Sequence, residues 1–249
     1  MFFISINRNS MKNPIFLSLV ILVPFVETKA QQSPYEVGIH AGMSLYQGDL
    51  IPTLPGSYKT PGLLIGINIA RRMNRLMSVR ADLSFAKLHA SDANYSKPEW
   101  RQFRNLSFGS SVKELTVSMI YNVIGERRIT PYVTGGAGLS LLNIKRDDSN
   151  FNAAYFDNQS WVGEGLTVDM FHRLPKLIIV LPVGAGARFP ITEKLSVKAE
   201  TTFRLMFTDY LDGFSHVANN DKKDHYFSHT VGVTYSWGKK NKALDCPAP

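Results

Sequence analysis

The sequence predicts an all-β fold, an eight-stranded antiparallel transmembrane β-barrel with short periplasmic turns and long extracellular loops. Three observations carry that expectation. Apolar residues recur at every second position in eight separate stretches, the period of a strand with one apolar face. The connections between these stretches alternate between short and long. In several stretches charges of both signs gather on the face opposite the apolar one, which suits an interior filled by side chains and an exterior in lipid.

Residues 1–30 read as a signal peptide. Arg8 and Lys12 precede an apolar run over 14–26, and Thr28 and Ala30 are small residues at the spacing a signal peptidase accepts. The run is too short to span a bilayer, and Pro24 interrupts it. Either Met1 or Met11 can be the start. Cys246 is the one cysteine, so there is no lipoprotein anchor after the cleavage site, no internal disulfide and no Cys-rich zinc site. The expectation is export to the outer membrane of a Gram-negative bacterium, with 31–237 forming the barrel and 238–249 a short periplasmic tail.

The first stretch carries Tyr35, Val37, Ile39, Ala41, Met43 and Leu45 on alternate positions, and the second Leu63, Ile65, Ile67 and Ile69. The third has Met77, Val79, Ala81, Leu83 and Phe85 against Arg80, Asp82 and Ser84. The fourth has Leu115, Val117, Met119, Tyr121 and Val123 against Glu114, Thr116, Ser118 and Asn122. A fifth runs from Tyr132 to about 144 through a glycine cluster, with faces harder to separate. The sixth spans 177–189 with Arg188 opposite its apolar face. The seventh spans 195–207 with Lys198, Glu200 and Arg204 opposite. The eighth spans 227–237 and closes on Tyr235 and Trp237. Strands of about ten residues suit a small outer-membrane barrel. The long connections are 46–61, 88–112, 145–175 and 209–225; an extra hairpin using 161–170 inside the third of these is a less favoured alternative.

A midplane cation facing lipid would cost about 2–4 kcal/mol, so Arg80, Asp82, Glu114, Arg188, Glu200 and Arg204 are expected to face the lumen and pair across it. That predicts a plugged barrel without an open pore. Gly48, Gly136, Gly138, Gly184 and Gly186 are expected to relieve crowding in so narrow an interior or to allow sharp strand bending. On the periplasmic side, Arg71, Arg72, Arg75, Arg127, Arg128, Lys194, Lys239 and Lys240 form a basic rim. It reads equally as ordinary solvated turns or as a dock for an acidic periplasmic partner. The net charge of +8 invites a nucleic-acid reading, which fails because the cations lack interleaved stacking aromatics and the chain is exported.

Two motifs carry a resemblance. Residues 42–50 (GMSLYQGDL), with Gly48 and Asp49, and residues 207–215 (FTDYLDGFS), with Thr208, Asp209, Tyr210 and Asp212, resemble the first-strand and seventh-strand motifs of the PorG-like small outer-membrane barrels of Bacteroidota. Gly213 and Phe214 stand where that family usually has Asp and Val. The glycine-bearing stretches 131–138 and 183–189 are similar to more general porin-like strands. The resemblance implies an outer-membrane component of the type IX secretion and gliding machinery, with outer-membrane lipid and periplasmic secretion proteins as partners and no cofactor. An alternative is a small porin-like or adhesion barrel acting through its extracellular loops.

Catalysis is not expected. His89, Asp92, Asp147, Asp148, Asp209, Asp212, His216 and Asp221 fall in the long connections, where such residues are routinely solvated. Ser228 and His229 are adjacent in a strand and point to opposite faces. No His or carboxylate spacing matches a metal site.

Overall fold

The computed structural model describes residues 35–51, 56–124, 129–218 and 223–238. The signal peptide, Arg127, Arg128 and the tail with Lys239 and Lys240 lie outside the described residues.

Eight strands close into one antiparallel barrel in sequence order, the last pairing with the first. They are β1 (Tyr35–Gln47), β2 (Gly62–Arg72), β3 (Met77–Ser91), β4 (Ser107–Asn122), β5 (Thr130–Asp147), β6 (Leu177–Pro190), β7 (Leu195–Met206) and β8 (His225–Trp237). Strict alternation puts Leu83, Leu115, Val117, Leu139, Ile179 and Val231 on the outer wall, each about half exposed or more. The alternate residues fill the interior. Tyr35 and Trp237 stack at 5.9 Å where β1 and β8 meet at the turn end.

The lumen is narrow enough to select its residues by size. A Cβ on Gly186 would come within 2.6 Å of the Tyr132 ring, and one on Gly136 within 2.2 Å of the Val117 carbonyl oxygen. Only hydrogen fits at either place.

β3, β4 and β5 run further toward the long connections than the apolar stripes imply, so the expected loop 88–112 contracts to 92–106. The reason is an inversion of pattern. On β3, inward Ser78, Arg80, Asp82 and Ser84 give way to inward Ala86, Leu88 and Ala90, while the outward positions change from Leu83 and Phe85 to Lys87 and His89. The same exchange occurs on β4 near Lys113 and on β5 near Leu142. The strands keep their faces while the surroundings change sides. Toward the turns the barrel is charged inside and apolar outside; toward the loops it has an apolar core of Leu64, Leu88, Phe108, Val112, Val180 and Met206.

That core continues into the connections. The β7–β8 connection folds into the mouth and buries Leu211, Phe214 and Val217 completely. A short helix, α1 (Trp100–Arg104), covers the β3–β4 side. A longer one, α2 (Ser160–Phe171), occupies the stretch considered for an extra hairpin. There, Val162, Gly165, Leu166 and Asp169 recur at helical spacing and are the buried residues, so the strand-like reading of 161–170 gives way to a helix.

Because Leu88 is 2% exposed in this core, Leu88→Ala should lower the unfolding free energy by about 2–5 kcal/mol. The neighbouring outward His89→Ala should change it by no more than about 0.5 kcal/mol. Urea titration of the folded barrel in detergent checks both.

Candidate functional site

Two features stand out for function: the charged lumen and the closed loop end. The lumen holds its charges in tiers. Nearest the turns, Glu36 on β1 receives Arg188 and Lys198, each at 2.8 Å, and Arg72 at 3.3 Å. In the middle, Arg80 on β3 reaches across to Glu200 on β7 with two nearly parallel bonds of 2.6 and 2.9 Å, the fork geometry that makes Arg–carboxylate pairs directional. The Tyr132 hydroxyl and Thr202 Oγ1 donate to the same carboxylate. Nearer the loops, Arg204 Nε donates to Glu114 at 2.7 Å, while Tyr226 and Ser140 donate to the other Glu114 oxygen. Asp82 sits 3.8 Å from His40 Nδ1, which is also 3.3 Å from the Asn68 amide.

All six expected lumen residues therefore point inward. Arg80 meets Glu200 and Arg204 meets Glu114, whereas Asp82 and Arg188 meet residues that the charge list omitted, His40 and Glu36. Both omitted residues lie among the intervening positions of the first strand, so alternation alone would have found them. A cavity of about 40 Å³ remains beside His40, Asn68 and Asp82, room for a water or two and not for a passing solute.

The basic rim is divided by the same alternation. Arg71, Arg75 and Lys194 are exposed at the turn end, with Arg71 lying 5.9 Å over the Tyr35 ring. Arg72 does not belong with them. As the neighbour of outward Arg71 in β2 it must point inward, and it is buried against Glu36.

The motif residues converge at the loop end. Tyr46 at the end of β1 lies 2.6 Å from Asp212 and 2.7 Å from Asp224, and all three are buried. Gly48 packs on that contact: a Cβ there would lie 1.9 Å from the Asp224 oxygen and 2.0 Å from the Tyr46 hydroxyl. The Asp49 carbonyl accepts from Arg101 and Arg104, both of which are also held by the fully buried Asp92. Thr208 Oγ1 accepts the Tyr210 amide, and Asp209 accepts the Ser215 hydroxyl. Gly213 has φ +88°, a conformation glycine adopts readily, and its carbonyl accepts from Arg146. The neighbouring departure, Phe214, is fully buried in the plug.

Asp169, which no motif pointed to, fastens the plug to α2. Its carboxylate accepts the amides of Ser215, His216 and Val217 at 2.9–3.0 Å. Of the loop carboxylates expected to be solvated, Asp147 is exposed, whereas Asp92 and Asp212 are buried fastenings, as are Asp169 and Asp224; Asp221 lies outside the described residues. Asp169, Asp212 and Asp224 tie the β7–β8 connection to α2 and to β1, and Asp92 holds the two arginines that reach the Asp49 carbonyl.

His216 Nδ1 lies 3.1 Å from Asp169 and 3.0 Å from the Tyr210 hydroxyl. The neighbouring Ser215 gives its hydroxyl hydrogen to Asp209, away from the imidazole, so Asp, His and Ser are not in relay order. Among the described residues no group of three or more His, Cys, Asp and Glu is placed to hold a metal ion.

Protonation does matter at the clasp. A phenol has one hydrogen, yet Tyr46 contacts two carboxyl groups, so one of them must carry a proton to donate. Burial pushes Asp212 up to about 8, and burial followed by the charge of Asp212 pushes Asp224 well above the usual carboxylate range. Burial likewise raises Asp209 to about 6.

A family model described as "Domain of unknown function (DUF6089)" matches residues 13–245. No curated protein matches the sequence. Among solved structures the chain is similar to Neisserial surface protein A, with 16% identity, 82% of this chain and 97% of that one covered, and a TM-score of 0.47. It is also similar to Ail, the attachment invasion locus protein of Yersinia pestis (10% identity, 83% and 99% covered, TM-score 0.44). A third is the outer membrane protein OprG from Pseudomonas aeruginosa (10% identity, 84% and 99% covered, TM-score 0.44).

Removing one partner of a buried ion pair strands the other, so Arg80→Ala should cost about 3–5 kcal/mol, whereas replacing Arg80 and Glu200 together by Met and Leu should restore most of it. Urea unfolding of both variants decides. Both clasp carboxyls have raised native values, so their stabilising contribution is complete below the ordinary carboxylate range near 4, and that of Asp212 is lost as pH rises through about 8. Limited proteolysis within 209–218 should therefore quicken between pH 6 and pH 9, and Asp224→Asn, whose amide supplies the donor, should flatten that dependence.

Proposed function

The chain belongs to the DUF6089 family, and we propose that it is an outer-membrane barrel serving as a closed structural and docking component rather than as a pore or an enzyme. One observation carries this reading: an apolar outer band encircles an interior whose arginines and lysine are paired with Glu36, Glu114 and Glu200. In water, exposed Ile65, Ile67, Leu83, Leu115, Val117, Leu139 and Ile179 would make a patch far beyond the few hundred Å² that a soluble surface tolerates. In a bilayer the same band meets acyl chains, and a closed barrel leaves no backbone unpaired there. The tiers around Glu36, Glu200 and Glu114 block the bore at three heights, and the plug blocks it again above them.

The resemblance to PorG-like barrels supports placing this component with the type IX protein secretion and gliding machinery. The clustering of the motif residues in one clasp supports it too, since Tyr46, Gly48 and Asp212 then form one structural unit. On the turn end, exposed Arg71, Arg75 and Lys194 would face the periplasm and suit an acidic partner. A second reading, adhesion through the loops, is favoured by the outer side of α2, where Trp161 and Val168 are exposed and Phe171 is 88% exposed.

The purified chain should insert into lipid vesicles and migrate as a heat-modifiable band. In planar bilayers it should show no stable nanosiemens-scale conductance. A stable conductance of that size would overturn the closed-barrel reading.

A further inference from the structure

We infer that the outer wall of β3–β5, just beyond the apolar band on the loop side, binds phosphate-bearing lipid headgroups. The inference rests on the membrane placement proposed above and adds a site and a ligand chemistry to it.

The strand register lays the wall out in rows. Leu83, Leu115 and Leu139 stand side by side in the apolar band, and the next outward row is Phe85, Lys113 and Leu141. Above that come Lys87, Ser111 and Asn143, and then His89, Gly109 and Lys145. Three lysines therefore sit on three adjacent strands at the edge of the hydrocarbon-facing surface. Rows are about 7 Å apart and strands about 4.8 Å, so their ammonium groups can converge on one headgroup or on two neighbouring ones.

Three features distinguish this face from ordinary solubilising charge. The inward cations Arg72, Arg80, Arg188, Lys198 and Arg204 all meet carboxylates, yet among the described residues Lys87, Lys113 and Lys145 form no ion pair. Next, β4 contributes only Ser111 and Gly109 between the longer side chains of β3 and β5, and a Cβ on Gly109 would meet nothing within 4 Å, so the space outside β4 is open. Finally, this face is continuous with the apolar band, since Lys113 lies between Phe85 and Leu141. A ligand with acyl chains below and phosphate above would satisfy both at once. Lysine stems can lie along the apolar wall while their ammonium groups reach the phosphate, and Ser111 and Asn143 can bond its sugar or glycerol oxygens. The carboxylate of Asp147, in the row beyond, marks the upper limit of the anion site.

The test uses the full chain folded into phosphatidylcholine vesicles doped with diphosphorylated lipid A, then extracted for native mass spectrometry. The unmodified barrel should retain lipid A in preference to phosphatidylcholine. Each lysine should contribute about fivefold, so the K87Q/K113Q/K145Q variant should bind on the order of a hundredfold more weakly. K194Q at the turn end should bind as the unmodified chain does. Dephosphorylated lipid A should lose the preference. Equal retention by the unmodified chain and the triple variant, or none by either while both run as heat-modifiable barrels, would overturn the site and leave the membrane reading standing. Failure of the unmodified chain to form a heat-modifiable band would overturn both.

Discussion

An eight-stranded barrel leaves room inside for side chains and almost nothing else. Every charge that points inward must therefore find its opposite within the wall. That constraint explains why the lumen pairs, Glu36–Arg72 of adjacent β1 and β2 apart, run between strands that are not neighbours. Arg80–Glu200 joins β3 to β7, Arg204–Glu114 joins β7 to β4, and Glu36 on β1 draws in β6 and β7. Backbone ladders hold adjacent strands, and these pairs brace the barrel across its diameter. Their hydroxyl partners, Tyr132 and Tyr226, fill the remaining carboxylate lone pairs, so the carboxylates of Glu200 and Glu114 are bonded at both oxygens. A buried ion pair is weak support for stability taken alone. Its stronger effect here is on shape, because a bore filled by forked Arg–carboxylate bonds cannot widen without breaking them.

The same rule of alternation governs the outside, and it explains how much could be read from the chain itself. The eight strands, their order and the inward face of every lumen charge follow from period 2, because one face is apolar wherever the wall is apolar. The strand ends were illegible for the opposite reason. Past Phe85 and before Leu115 the apolar residues move to the inner face, so Leu88 and Val112 look like interruptions of a stripe when they continue the strand. Position along the chain puts Arg72 in the basic rim, while its parity in β2 puts it in the lumen against Glu36.

The loop end was legible only as motif. Gly48, Asp49 and the stretch from Thr208 to Asp212 were recognisable by resemblance, but nothing in their spacing said that Tyr46 would meet Asp212 across 166 residues. Asp92, Asp169 and Asp224 carry no local signal at all. A lone Asp in a polar loop looks the same whether water surrounds it or three backbone amides do. What separates the two cases is the chain that folds over it, here the segment 211–217 with its buried Leu211, Phe214 and Val217, and that contact is set by the tertiary fold.

The position of the clasp bears on assembly order. Tyr46 belongs to the first strand, and its two partners lie on the connection that leads into the last, which pairs with the first along the whole seam from Tyr35–Trp237 to Gln47–His225. Neither partner can reach the phenol until the seventh and eighth strands are in place. Asp92 and its two arginines join the β3–β4 connection to Asp49, whereas Asp169 on α2 receives the plug itself. The loop end therefore locks only on a barrel whose seam has already closed. A cylinder left open between its first and last strands would keep its mouth undone, with Leu211 and Phe214 exposed to solvent and to whatever recognises unfinished proteins.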